Sequence, residues 1–308
     1  MTILGAMQII RFLAFVASGA SYLLIVLGGW VRISGSGLGC GDDWPLCNGR
    51  IIPQLSDMAT LIEWAHRLVA LGVSALVVGL AVVAYTQRQT PGVSGRGGPL
   101  RPATLAAALL VIQVLLGAIT VWLELPSSVV VLHLGTAMAM LAALIVVGLR
   151  AGERQAQNQW TGDPATWRSA AVALGLGGLV VLLGALTANL GAAGACLGFP
   201  LCSGEIFPSE SNGGLAHIHW FHRLVAYGLT LHLIGIAARV TRRKTPPPVK
   251  GAALAALAIT LIQVAVAAGM MWSVLQPHWR VTHVAAGTAV WTALVAFAWF
   301  SWPRKTAA

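Results

Sequence analysis

Glu63-Trp64-Ala65-His66-Arg67-Leu68-Val69-Ala70 returns 156 residues later as His219-Trp220-Phe221-His222-Arg223-Leu224-Val225-Ala226, with six of eight positions identical. The match continues outward. Cys40 and Cys196 are also 156 apart, and Cys47 and Cys202 are 155 apart. Gln113-Val114 returns as Gln263-Val264, and His133 as His283, both at an offset of 150. The change in offset falls in the loop after the second apolar run of each half. The chain therefore reads as one unit written twice, residues 1–150 and residues 151–308.

Composition names the solvent. Of 308 residues, 57% are hydrophobic and only 9% charged, against about 25% charged in a soluble globule. The mean hydropathy is +0.80. So few charges cannot coat a water-facing surface, and lipid is the fitting environment. Eight apolar runs, near 12–34, 60–86, 102–124, 128–150, 168–190, 213–240, 249–274 and 279–302, each match the roughly 20 residues that cross a bilayer. They are too long for barrel strands, and the first is too long for a signal-peptide core. The predicted fold is an all-α polytopic membrane protein of eight transmembrane helices. It forms two four-helix bundles, repeated in parallel because four is even.

The net charge of +10 is not a nucleic-acid footprint, because most basic residues stand in short gaps between apolar runs. With the N-terminus inside, 14 of the 19 Lys and Arg residues fall on the inner side, Arg154, Arg304 and Lys305 among them. Positive-inside then puts both termini in the cytoplasm and the cysteines outside. The inner segment Arg239–Lys250, with Pro246, Pro247 and Pro248, reads as a solvated connector.

The duplication arranges the histidines. His66, His133, His222 and His283 lie within the first few turns of the second, fourth, sixth and eighth runs, on the order of 10 Å below the outer surface. A lone histidine in a bundle is commonly a packing residue. Two depth-matched pairs point to function, since ionisable groups in a membrane are costly. Facing imidazoles suit the two axial positions of haem iron. Zinc fits less well, because no further cysteine or carboxylate accompanies each pair, and a proton relay is the other reading. His217, His219 and His278 fall at the outer rim, where hydration explains them, and His232 reads as packing. Arg67 and Arg223 each follow a ligand candidate. Either they snorkel to the interface or they pair with haem propionates.

All four cysteines fall in outer loops, where a disulfide within each loop is the first reading. A redox-active Cys40–Cys47 pair and a loop zinc site are the alternatives. Glu63 breaks the symmetry. It precedes His66 by three residues, on the same helix face, and its counterpart is His219. A carboxylate beside a porphyrin can take a proton or stabilise developing positive charge. The plain alternative is an ion pair with Arg67 or a rim carboxylate.

Taken together, Gly35-Ser36-Gly37-Leu38-Gly39-Cys40 through Trp44-Pro45-Leu46-Cys47-Asn48-Gly49, then Glu63-x-x-His66-Arg67, Gln113 through Gly117, His133, His222-Arg223 and His283 resemble the haem A synthase family over nearly the whole chain. The resemblance implies an oxidoreductase that turns a methyl group of haem O into a formyl group through a hydroxymethyl intermediate. It implies a haem B cofactor held by His222 and His283 with Arg223, and substrate near His66, His133 and Arg67. It also implies Glu63 in catalysis, a Cys40–Cys47 disulfide, and haem O synthase and terminal oxidase assembly factors as partners. His219 departs from the family pattern. Two rivals use the same residues differently. A dihaem b-type electron carrier keeps all four histidines but has no need of Glu63. A transporter with a parallel repeat needs no matched histidines.

Overall fold

The computed structural model describes residues 3–54, 56–152, 163–209 and 214–303. Arg154, Arg304 and Lys305, counted above for orientation, lie outside them. Eight long helices follow one another: α1 (Ile3–Ile33), α2 (Met58–Thr86), α3 (Leu100–Trp122), α4 (Ser127–Gly152), α5 (Pro164–Asn189), α6 (Leu215–Arg242), α7 (Pro247–Trp272) and α8 (Pro277–Ser301). Every one is long and apolar enough to cross a membrane. Among the described residues there is no named strand, and the fold is the predicted all-α membrane class.

Helix ends depart from the apolar windows by a few residues, most at the start of α1. The window opens after Arg11, but the helix starts at Ile3. Arg11 lies within the helix, its guanidinium 5.8 Å from the Phe15 ring on the next turn. Elsewhere local chemistry sets the ends. Asp57 caps α2 by accepting from the Thr60 amide, and Asp163 caps α5 ahead of Pro164. The Thr60 amide, donating to it, holds the Asp57 carboxyl below the usual carboxylate range.

The chain divides into two compact units, Met1–Asn158 and Gln159–Ala308. In the first, α1 packs on α2 and α4, and α3 packs on the same two helices. In the second, α5 packs on α6 and α8, and α7 likewise. Each is thus a closed ring of four helices. Small residues let the backbones approach: Ala14, Ala17, Ala103 and Ala106 in the first core, Ala170, Ala173, Ala253 and Ala256 in the second. Larger side chains fill the rest, with Leu80, Leu144 and Val147 in one and Leu233, Leu294 and Phe297 in the other.

The duplication reaches the backbone. The turn from α3 to α4 passes through Glu124 and Leu125 at φ 55 and 64, and that from α7 to α8 through Val274 and Leu275 at φ 54 and 62. In each, the second residue's N–H donates back five residues at 2.8 Å, Leu125 to Thr120 and Leu275 to Met270. Such turns leave almost no slack, so His133 and His283 are carried to the same depth in their units.

Candidate haem sites

In the first unit, Glu63, His66 and Arg67 share one face near the start of α2, as their spacing requires. Glu63 is buried, at 4% exposure. Arg67 donates to its Oε1 from Nη2 at 2.6 Å and from Nε at 3.2 Å. The ion pair considered from sequence is therefore formed, but it is not a rim contact. The other carboxylate oxygen, Oε2, accepts from the backbone N–H of Cys40 at 2.9 Å. Arg67 Nη1 donates to the carbonyls of Asp43, at 2.7 Å, and Leu46. Glu63 and Arg67 are thus clamped to the loop closed by the Cys40–Cys47 disulfide.

That loop is held down in its own right. Thr60 Oγ1 donates to the Gly39 carbonyl at 2.7 Å, and Trp64 Nε1 to that of Ile51 at 3.0 Å. Gly39 lies so close to α2 that a Cβ there would run into the backbone of Ala59 and stand 2.6 Å from the Thr60 nitrogen. Only glycine permits this approach. The loop then brings the Cys40 amide to Glu63.

His66 and His133 lie within electrostatic range of each other. The His66 ring rests on α1 at Gly28, where a Cβ would stand 3.2 Å from Cε1. His133 Nε2 lies 3.0 Å from Gln113 Nε2 on α3. The Nδ1 atoms of both histidines are buried without a hydrogen-bond partner.

The second unit repeats the frame with different chemistry. His222 rests on Gly184, 156 residues after Gly28, with a Cβ there 3.0 Å from its Cε1. Its Nδ1 lies 3.1 Å from the Val180 carbonyl and donates to it, an anchor His66 lacks. His283 lies within electrostatic range of His222. Gln263 Nε2 stands 3.1 Å from His283 Nδ1 and 3.3 Å from its Nε2.

Arg223 is buried. It donates to the carbonyls of Leu201 at 2.9 Å and Cys196 at 2.6 Å, and to His219 Nε2 at 3.2 Å. The only ion pair among the described residues is Glu63–Arg67, so Arg223 has no carboxylate partner there. His219 corrects the hydrated-rim expectation. At 4% exposure it is buried and serves as a neutral acceptor for Arg223 in the position Glu63 fills for Arg67. His217 and His278 are exposed, and His232 packs through a 2.9 Å hydrogen bond to the Ser169 carbonyl.

The cysteines form the disulfides Cys40–Cys47 and Cys196–Cys202. This removes the thiolates a loop zinc site would need. Non-reducing peptide mapping of protein made in an oxidising compartment should recover both linked fragments. Cys47→Ser should expose a free thiol at Cys40 and lower activity more than Cys202→Ser, because only the first loop donates to a carboxylate, Glu63, on the histidine-bearing helix. Equal activity in the two variants would detach Glu63 from its loop.

The residues suit haem in each unit. Imidazoles are iron donors, both pairs are half-buried among apolar helices, and each first-unit ring has a buried nitrogen without a protein partner. Gly28 and Gly184 give the rings room beside a helix. Their shared offset was readable in the sequence, but only the fold shows what they face.

A family described as cytochrome oxidase assembly protein matches residues 11–295. The chain is 31% identical to a haem A synthase of an Exiguobacterium species over 87% of this chain and 83% of the relative. It is 32% identical to that of Symbiobacterium thermophilum over 98% and 99%. With that of Bacillus licheniformis it shares 27% identity over 89% and 90%.

Proposed function

The chain belongs to the haem A synthase family, and from that premise we propose that its two units divide the reaction between a substrate haem and a resident one. The protein is a multi-pass membrane oxidoreductase that converts haem O to haem A, oxidising a porphyrin methyl to a formyl through a hydroxymethyl intermediate. In our reading the first unit takes haem O between His66 and His133, and the second holds haem B between His222 and His283. When bound, haem B supplies one-electron redox chemistry.

The observation that carries this division is the asymmetry of the α2 and α6 sites. His222 is anchored through Nδ1 to the Val180 carbonyl, which leaves Nε2 for iron. An orienting partner of this kind suits a permanent ligand. His66 has no such anchor but has Glu63 one turn away. A ligand that must admit substrate and release product is better left unanchored, and the reacting group belongs beside the carboxylate.

Glu63 receives hydrogen bonds only from donors, the Arg67 guanidinium and the Cys40 amide. It is therefore set up as an acceptor. Its role is to take a proton as the methyl carbon is oxidised and to stabilise positive charge developing there. The disulfide loop fixes the carboxylate and keeps bulk water from it. Arg223, buried beside three neutral acceptors, is a natural partner for a propionate of the resident haem. Arg67 can offer the same to substrate, although Glu63 already balances its charge. Positive-inside places both termini in the cytoplasm of a plasma-membrane protein and the cysteine loops outside. Haem O synthase and terminal oxidase assembly factors are the protein partners this reading calls for.

The test is chemical. The protein is co-expressed with a haem O synthase, and the extracted haems are separated. Haem A, with some hydroxymethyl intermediate, is the expected product. An extract holding only haem O and haem B would overturn the reading in favour of a dihaem electron carrier.

A further inference from the structure

We infer that the residue one turn outward from the α2 and α6 histidines, Glu63 in one unit and His219 in the other, decides which unit keeps its haem and which lets it go. The inference deepens the division of haems proposed above and rests on it. Glu63 and His219 hold the same place in the repeat, and each accepts the Nε N–H of the arginine four residues on. What differs between them is charge.

A guanidinium has five N–H donors. In the first unit four are taken, two by Glu63 and two by the carbonyls of Asp43 and Leu46. The carboxylate also balances the charge, so Arg67 has one N–H left and no net charge to offer a propionate. Arg223 uses three, on His219, Leu201 and Cys196, and all three acceptors are neutral. One N–H remains on each of its terminal nitrogens, so a carboxylate can be held at two points. Arg223 is also only 7% exposed, and it has no counter-charge among the described residues. The described acids of that unit are engaged elsewhere. Asp163 caps α5, and the exposed Glu205 accepts from the Ser209 amide at 3.0 Å. A buried cation of this kind is costly until an anion joins it. A haem whose propionate joins Arg223 is thereby retained. A haem beside the Glu63–Arg67 pair gains no such charge and meets a carboxylate of its own sign. The second unit then keeps its haem, while the first can exchange product for substrate.

His219 could instead do no more than seat Arg223 on its loop, and the two roles give His219→Glu opposite signs. As a seat, glutamate adds an ion pair and tightens the unit around its haem. As the determinant of retention, it cancels Arg223 and repels the propionate. The experiment mixes purified holoprotein with excess apomyoglobin and follows the transfer of haem B by absorbance. His219→Glu should lose haem B about 10–100-fold faster than wild type, the worth of one hydrogen bond to a charged group. His219→Gln keeps a neutral acceptor and should lose haem B at close to the wild-type rate. Unchanged or slower loss from His219→Glu, or equal acceleration in both variants, would overturn the inference. If His219→Glu purifies without haem, the first unit decides. Glu63→Gln loaded with haem O and kept anaerobic should release it more slowly than wild type, and equal or faster release would end the inference. Wild-type protein that purifies without haem B would defeat the underlying division of haems, and this inference with it.

Discussion

Glu63→Gln should retain its fold and its haem B while losing haem A output by about 10²–10³, the worth of one group stabilising developing charge. Glutamine keeps the length and one acceptor oxygen but loses the charge and the capacity to take a proton. It also turns an NH₂ group toward either Arg67 or the Cys40 amide, both of which are donors. One of the two contacts must therefore fail. The fold should survive, because Arg67 keeps the Asp43 and Leu46 carbonyls, and the loop keeps its disulfide and the Thr60 and Trp64 hydrogen bonds. The second unit carries His219 at this position, so its haem should be untouched. The hydroxymethyl intermediate should accumulate if the second oxidation leans on Glu63 more than the first. The measurement is haem A and its intermediate per haem B in purified protein. Wild-type output would return Glu63 to the role of a structural partner for Arg67.

The clamp behind that prediction was not legible in the sequence, whereas the histidine frame was. Periodicity and repetition report what lies on one helix, so Glu63, His66 and Arg67 could be placed on one face of α2. The hydrogen bond from the Cys40 amide spans 23 residues across an irregular loop. It depends on a glycine, Gly39, whose need shows only once Ala59 is seen against it. His219 was misread for a related reason. Position along a helix gives depth but not the side facing a neighbour, and it is the neighbouring Arg223 that makes His219 a buried acceptor. Helix ends were displaced because apolar windows mark the hydrocarbon, while caps such as Asp57 and Asp163 end the helices in water. The glutamines were visible as repeats but mute, since repetition shows that a residue matters without showing what it touches.

His222→Ala and His283→Ala should each deplete purified protein of haem B, whereas His66→Ala should largely spare it. An outer partner of a ligand alone commands about 10–100-fold in metal affinity, and removing the ligand itself should cost at least as much. Alanine also leaves an apolar gap where the imidazole stood, so no neighbour replaces the donor. Gly184 and Gly28 supply a matched pair of variants that keep every ligand. A Cβ at Gly184 would stand 3.0 Å from His222 Cε1, and one at Gly28 3.2 Å from His66 Cε1. Both are closer than carbon atoms pack, so each ring must shift. The His222 ring cannot shift without straining its 3.1 Å bond to Val180. Gly184→Ala should therefore lower haem B content, and Gly28→Ala should leave haem B in place while reducing haem A. Pyridine haemochrome spectra against protein concentration give the first readout, and chromatography of extracted haems gives the second. Full haem B in both His222→Ala and His283→Ala would remove the resident haem from the second unit, and loss of haem B in His66→Ala alone would move it to the first.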